Sequence, residues 1–477
     1  MKYEFDLIVL GGGSAGLLAA EVAPRLGLKT ALVERSRLGG DCLWTGCVPS
    51  KTLLASAKAA HTIRHADKYG LPSANVELDT STVWRRISEV QEAIATTDDS
   101  PDRYRKLGVE VVFGEGTLVD EHTVRVGERA LTARRILLCT GSRPAIPAIE
   151  GLDEVGFLTS ESIFRLERAP RSLMIVGAGP VGIEIAQAMN RLGVKTILLE
   201  LVGRVLQREE PALSEILLQT LHDEGVEVHL DCQEHHAARG EGGKVMRARM
   251  AGEEHELYAE EIFVATGRKP NIESLGLDRV GIETGPRGII VDKQLRTRVR
   301  SIYAVGDCIG RFLFTHSAGA ETATAIRNMF YAGSQSAPEL IPWATFTDPE
   351  LAHIGMTSAE ARQKYGETSI RVFAWDLQQN DRARTDAVEA GRVMVVTEGN
   401  FKILGAHILA PAASEMIGQF TLAIDQGIRL TPAFRNLVQV YPTFSTSIPR
   451  LAEEVLYEDA GKPIFRAARR LNELFGL

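Results

Sequence analysis

Cysteine is scarce, with five in 477 residues. That is too few for the dense disulfide framework of a small secreted scaffold, and it makes one close pair, Cys42 and Cys47, stand out. Long apolar runs are also missing. None approaches the ~18 residues that a membrane-crossing helix needs, so no membrane span is expected. Positive charge is not in excess. The 54 Lys and Arg are outnumbered by 62 Asp and Glu, for a net charge of −8, and this leaves no electrostatic footprint for nucleic acid. The Arg-rich stretch Arg296, Arg298, Arg300 reads as a solvated surface run. At the N-terminus a strand-like run, Phe5 to Leu10, starts almost at once and leaves no room for a signal peptide. These features point to a cytoplasmic protein.

What is present is an ordinary apolar content of 44% on a chain long enough for about three domains. One internal echo organises it. Gly11, Gly13 and Gly16 form a G-x-G-x-x-G, and so do Gly177, Gly179 and Gly182, each 166 residues after its counterpart. Both sets follow a β-type run (Leu7 to Leu10, Leu173 to Val176) and precede a helix-like stretch. Both lead on to a second strand-like run ending in an acid, Glu34 and Glu200, again 166 apart. A single such motif is weak evidence. The whole strand–turn–helix–strand–acid unit repeated at one spacing reads as two Rossmann units. In each, glycines allow a tight turn, close backbone approach to a pyrophosphate and helix-on-strand packing. The helix N-terminus attracts phosphate, and the acid accepts hydrogen bonds from a ribose.

Punctuation sets the boundaries. Pro144, Pro147 and Gly151 close the first unit, Gly267 to Asn271 close the second, and Ser334 to Pro342 is a polar link. The expected division is residues 1–150 with 271–338 for the first dinucleotide domain, 151–270 for the second and 339–477 for a C-terminal domain. The fold class is α/β, with an α+β C-terminal part built of segments such as Arg392 to Val396 and Lys402 to Leu409.

The segment from Gly39 to Lys51 carries the chemistry. Five residues of regular α-helix rise about 7.5 Å, beyond the ~7 Å Cα limit for a disulfide. Bonding Cys42 to Cys47 therefore needs a bent backbone, which Gly46 permits. Pro49 suits the first turn of a helix, and Cys47 just before that helix gains thiolate stabilisation from its dipole. A zinc site and two unrelated buried cysteines are the alternatives, but structural zinc pairs are usually C-x₂₋₄-C with a second pair elsewhere. No metal site is expected. Cys139, Cys232 and Cys308 read as small buried hydrophobes.

These residues resemble the class I pyridine nucleotide–disulfide oxidoreductases, which include dihydrolipoamide dehydrogenase, glutathione reductase and mercuric reductase. Gly-Gly-x-Cys-x₄-Cys-x-Pro-Ser-Lys is that family's redox signature. Cys139 to Pro144, with Thr140 and Gly141, resembles one A-T-G-S-x-P turn, and Ala265 to Asn271, with Gly267, resembles a second copy. Ile302 to Asp307 resembles the segment whose Asp binds the FAD ribityl chain, and Pro342 to Glu350 opens what resembles the dimer-interface domain. The resemblance implies a homodimer binding FAD on the first unit and NAD(H) on the second. FAD would be held by Gly11, Gly13, Gly16, Glu34, Gly40, Lys51, Gly116, Thr140, Gly141 and Asp307. The nicotinamide cofactor would be held by Gly177, Gly179, Gly182, Glu200 and Gly267. Cys47 matches the charge-transfer thiol, Cys42 the thiol that attacks substrate, Lys51 the lysine near flavin N5 and Glu184 its ion-pair partner. Glu200 favours the 2′-OH of NAD over the 2′-phosphate of NADP, although Arg204 and Arg208 lie nearby.

One departure matters. Where the family's disulfide reductases carry His-Pro-Thr-x-x-Glu, this chain has Tyr441-Pro442-Thr443-Phe444-Ser445-Thr446, so both members of the acid–base pair are gone. No histidine follows His407, which reads as an ordinary structural residue. A phenol near pKa ~10 is a poor base at pH 7, where an imidazole near ~6.5 is a good one. Lipoamide-type reduction is expected to be slow. Mercuric reductase also places a Tyr here, and Asn380 to Ala383 resembles that branch, but its C-terminal cysteine pair and extra N-terminal domain are missing. Tyr441 reads as a catalytic-site residue or as a plain interface aromatic. The expected activity is reduction of a small disulfide, metal ion or other soft acceptor. A quinone reductase or diaphorase using the flavin directly, and a redox-sensing flavoprotein, are the other readings.

Overall fold

The computed structural model describes residues 3–74, 77–460 and 470; the rest of the expected 339–477 segment lies outside the described residues. Phe5–Leu10 forms a strand on the unbroken apolar run Leu7 to Leu10, and a parallel sheet covered on both faces wants such runs. It sits in the middle of a parallel sheet. Thr30–Glu34 and then Glu110–Phe113 lie on one side, Arg129–Leu138 on the other. The late strand Ile302–Ala304 joins this early sheet beyond Arg129–Leu138. Helix Ser14–Arg25 buries Ala15, Leu17, Ala19, Ala20 and Ala23 and packs on helix Thr315–Phe330. The chain therefore returns, some 300 residues on, to complete its first unit.

The second unit is a four-stranded parallel sheet in the order Glu227–His229, Lys195–Leu199, Ser172–Val176, Glu261–Val264. A three-stranded antiparallel sheet spans Gln233–Gly240, Gly243–Met250 and Glu253–Ala259. The exits from the two nucleotide units meet: Ser142–Pro144 pairs antiparallel with Arg268–Pro270. The two echoed turn motifs thus make one ribbon between the units. The C-terminal part is a five-stranded antiparallel sheet, with Glu350–Gly355, Ile403–Ala410 and Arg392–Glu398 at its centre, packed on helix Ala413–Asp425.

Helix Cys47–Arg64 is the joint. Leu53, Ala57 and Ala60 on it are buried in one apolar cluster with Ile183, Ile185 and Ala186 of helix Pro180–Arg191 and with Leu351 and Leu409 of the C-terminal sheet. No helix among the described residues is long and apolar enough to cross a membrane. Leu422, Leu437, Val438 and Val440, all on the C-terminal part, are each exposed.

Candidate functional site

The glycine sets divide their labour as the repeat suggests. Gly11 has φ +109° and a Cβ there would sit 2.3 Å from the Cys139 carbonyl oxygen; a Cβ on Gly16 would sit 1.8 Å from the Gly11 carbonyl oxygen. In the second set, a Cβ on Gly177 would meet Ala265 O at 2.7 Å and one on Gly182 would meet Gly177 O at 1.9 Å. The middle glycines differ: Gly13 has only Gly40 nearby, at 3.7 Å, and Gly179 has open space. Neither following helix, Ser14–Arg25 nor Pro180–Arg191, has a side-chain cap. Free N–H groups behind an open backbone turn form an anion-binding cradle, so both sites fit a dinucleotide pyrophosphate. Gly141 (φ +70°) also borders open space, whereas a Cβ on Gly116 would press on Val33 and Leu10.

The two acids act on their own loops. Glu34 accepts from Gly12 N (2.7 Å) and Ser36 N (2.8 Å), and Glu200 accepts from Ala178 N (2.7 Å). Each carboxylate thus fixes the glycine turn it faces and keeps lone pairs for a ribose hydroxyl. We expect Gly182→Ala to weaken nicotinamide nucleotide binding by tenfold or more while FAD content is unchanged, because the new methyl lies against backbone that cannot yield. Stopped-flow titration of the FAD-loaded variant checks this, and unchanged affinity would contradict it.

The cysteine segment is bent, as bonding requires. A short helix, Gly40–Trp44, ends at Thr45, and a second helix begins at Cys47. Gly39 N donates to Gly12 O at 2.9 Å, and a Cβ on Gly40 would fall 2.5 Å from the Gly13 Cα. The redox segment is therefore seated on the first glycine turn. Cys42 is half-buried and Cys47 exposed; both are thiols. They titrate as a pair. The hydrogen bond from Cys42 is the largest influence holding the Cys47 thiol down, to about 6, with Thr315 and the Lys51 charge helping and low-dielectric surroundings opposing. Cys42 is pushed up by that same partner and by burial. Thr315 Oγ1 lies 3.6 Å from Cys47 Sγ.

Lys51 stands one turn after Cys47. Its Nζ donates to Glu184 Oε2 at 2.8 Å and lies 4.3 Å from the centre of the Phe346 ring. Glu184 is buried, and its other oxygen accepts from Phe346 N at 2.8 Å. One carboxylate on the second unit therefore ties the redox helix to the C-terminal part. Asp307, raised by burial, accepts from Ser142 Oγ and faces Arg268 Nε at 3.6 Å. Arg268 also reaches Asp41, at 3.2 Å. Thr140 Oγ1 donates to Asn271 O at 2.6 Å; Gly267 has φ +145°.

Tyr441 lies on the C-terminal part of the chain. It is 70% exposed, close in sequence to the exposed Val438 and Val440, and its hydroxyl donates to Asp381 at 3.0 Å. Cys139, Cys232 and Cys308 are buried, and His407 is fully buried. Sequence reasoning missed Thr315 and Arg268. Thr315 is 268 residues from Cys47, and no local pattern links them; Arg268 sat inside a recognised turn but its carboxylate partners did not.

The profile of the pyridine nucleotide-disulphide oxidoreductases matches residues 5–327, and that of their dimerisation domain matches residues 341–452. Mercuric reductase from Bacillus cereus is 32% identical over 468 residues, covering 97% of this chain and 73% of that protein. Dihydrolipoyl dehydrogenase 2 from Haloarcula marismortui is 33% identical over 462 residues, covering 94% and 96%. A solved structure, the Cu(II) complex of the HOCl-induced flavoprotein disulfide reductase RclA from Escherichia coli, superposes with TM-score 0.84 at 24% identity, over 95% of this chain and 100% of that one. That last likeness carries the fold alone.

Proposed function

We propose, for a chain that belongs to the pyridine nucleotide-disulphide oxidoreductase family, that it moves two electrons from NADH to the Cys42–Cys47 pair and from there to a small disulfide, a metal ion or another soft acceptor. It is an FAD-dependent oxidoreductase with a C-terminal dimerisation domain. The observation that carries the proposal is the thiol pair itself: two free thiols that shift each other's titration through a hydrogen bond, seated on the first glycine turn, with Lys51 and Glu184 behind them.

We assign FAD to Gly11, Gly13, Gly16, Glu34, Gly40, Lys51, Gly116, Thr140, Gly141 and Asp307, and the nicotinamide nucleotide to Gly177, Gly179, Gly182, Glu200 and Gly267. The division at 1–150 with 271–338, 151–270 and 339–477 goes with that assignment. Bound FAD supplies a two-electron relay between nicotinamide and thiols. The chain's own residues set the charge. Cys47 keeps the negative charge, which the helix N-terminus and Lys51 stabilise. Cys42 keeps the proton and presents the outgoing sulfur to the acceptor. Reducing a disulfide consumes that sulfur's proton and one more, and Tyr441 is a poor source of either at pH 7. A metal acceptor bonds thiolates directly and needs no proton for a leaving sulfur, so soft metals and activated disulfides fit best. NADH is preferred over NADPH because both nearby cations are engaged. The Arg204 guanidinium donates to the carbonyls of Glu209 and Gln207, and Arg208 lies over Trp343 at 4.7 Å. A cytoplasmic setting suits thiols that must stay reducible.

Anaerobic titration of FAD-loaded protein with NADH tests the reading. We expect a long-wavelength thiolate-to-flavin band after two electrons, with NADPH requiring higher concentrations. The band should follow Cys47. A pKa lowered from 9 to about 6 keeps the thiolate present above that pH and removes it as the pH falls through it. Well-folded protein that reduces without any such band would sink the cysteine route.

A further inference from the structure

Outside the redox site, three buried side chains from two parts of the molecule converge. Glu209 precedes helix Pro211–Asp223 of the second nucleotide unit, and His353 and His407 face each other on neighbouring strands of the C-terminal sheet. All three are at most 3% exposed. One ligand atom from each lies within 4.8 Å of the others.

Their hydrogen bonds fix the tautomers. His353 Nε2 lies 2.9 Å from Gly355 O and His407 Nε2 lies 3.0 Å from Met356 O. A carbonyl only accepts, so both Nε2 atoms carry hydrogen, and each neutral ring is left with a bare Nδ1. Those two Nδ1 atoms are 3.1 Å apart. Glu209 Oε2 is 3.3 Å from His353 Nδ1 yet makes no hydrogen bond. Its other oxygen is fixed by Trp343 Nε1 at 2.6 Å, and Trp343 stacks on His353 at 3.8 Å.

Three lone pairs thus meet with no donor between them. A proton on His353 Nδ1 can point at His407 or at Glu209 and leaves the other unmet. A metal ion satisfies all three. The two spacings at His353 Nδ1, 3.1 Å to His407 and 3.3 Å to Glu209, suit one: tetrahedral bonds of about 2.05 Å put ligand atoms about 3.3 Å apart. We propose that Glu209, His353 and His407 form a buried site for a divalent cation of zinc-like character that fastens the second nucleotide unit to the C-terminal sheet. Two imidazoles and a carboxylate are a borderline donor set suited to such ions, with one tetrahedral position left for water.

The test uses the full FAD-loaded chain carrying Cys42→Ser and Cys47→Ser, so that the redox thiols bind nothing, after treatment with chelator. Calorimetry with Zn²⁺ should give one ion per chain, with affinity at least about 100-fold weaker when His353→Gln or Glu209→Gln is added. Co²⁺ should give the intense visible bands of four-coordination, a readout that needs no variant of the cluster if those variants fail to fold. No stoichiometric site in the parent, or equal affinity in both variants, overturns the proposal and leaves the cluster a shared-proton contact.

Discussion

Replacing Cys42 with Ser should lower turnover with disulfide or metal acceptors by about a thousandfold or more. A serine hydroxyl cannot bond covalently to Cys47 and is not ionised near neutrality, so the outgoing step loses its sulfur. The fold should survive, because Cys42 is only half-buried and Ser is smaller. Reduction of a one-electron dye by NADH, which needs no thiol, should continue at near the parental rate and reports that FAD and NADH still bind. Cys47 remains next to a hydroxyl donor, beside Lys51, at a helix N-terminus, so its thiolate should persist at pH 8 without any reductant. The discriminating measurement is steady-state turnover against a panel of disulfides, Hg(II), Cu(II) and quinones. Quinone reduction that survives while every other acceptor fails would be a side activity. A physiological-scale rate with every acceptor in the Ser variant would mean that electrons leave without the cysteines.

Arg191→Met should cost about 3 kcal/mol and lower the unfolding temperature by about 5 °C. Arg191 is buried at the end of helix Pro180–Arg191. Its guanidinium pairs with Glu224 at 2.6 Å and with Asp348 at 2.8 Å, and it also donates to the Asp348 carbonyl at 3.2 Å. Removing one member of a buried ionic group strands the others. Glu224 would keep Gln187 at 3.1 Å, and Asp348 would keep Lys58 at 3.1 Å, which limits the loss. Asp348 sits where the C-terminal part begins, so the loss falls on the contact between that part and the second nucleotide unit. Arg191→Lys should recover only a fraction, since an ammonium cannot make the forked contact. Thermal and urea unfolding of the FAD-loaded protein measure the effect, and a shift below 1 °C for the Met variant would show that the network contributes little.

Much of this molecule could be read along the chain, and the reason is that its chemistry is local. A glycine turn, the helix behind it and the acid ending the next strand span about 25 residues, so Gly11 to Glu34 and Gly177 to Glu200 declare themselves. The bend between Cys42 and Cys47 follows from helix rise alone, and Lys51 was marked by the resemblance of its segment to the family's redox signature. Contacts made at long range were silent. Thr315 beside Cys47, Arg268 between Asp41 and Asp307, and Asp381 on Tyr441 have no signal in spacing. The lack of the C-terminal His–Glu pair was legible against the family's pattern, but the exposure of Tyr441 and its bond to Asp381 were not.

The sequence by itself determined two nucleotide-binding units and a close cysteine pair, because each is a short-range pattern of residue types; the lack of the C-terminal His–Glu pair took its meaning from the resemblance to the family. Only the tertiary structure decided what surrounds them: that strand Ile302–Ala304 completes the first sheet, that one buried carboxylate joins the redox helix to the C-terminal part, and that Glu209, His353 and His407 meet. Those are juxtapositions of segments more than a hundred residues apart, or on strands whose register the sheet alone fixes, and side-chain identity carries no record of which distant strand it will face.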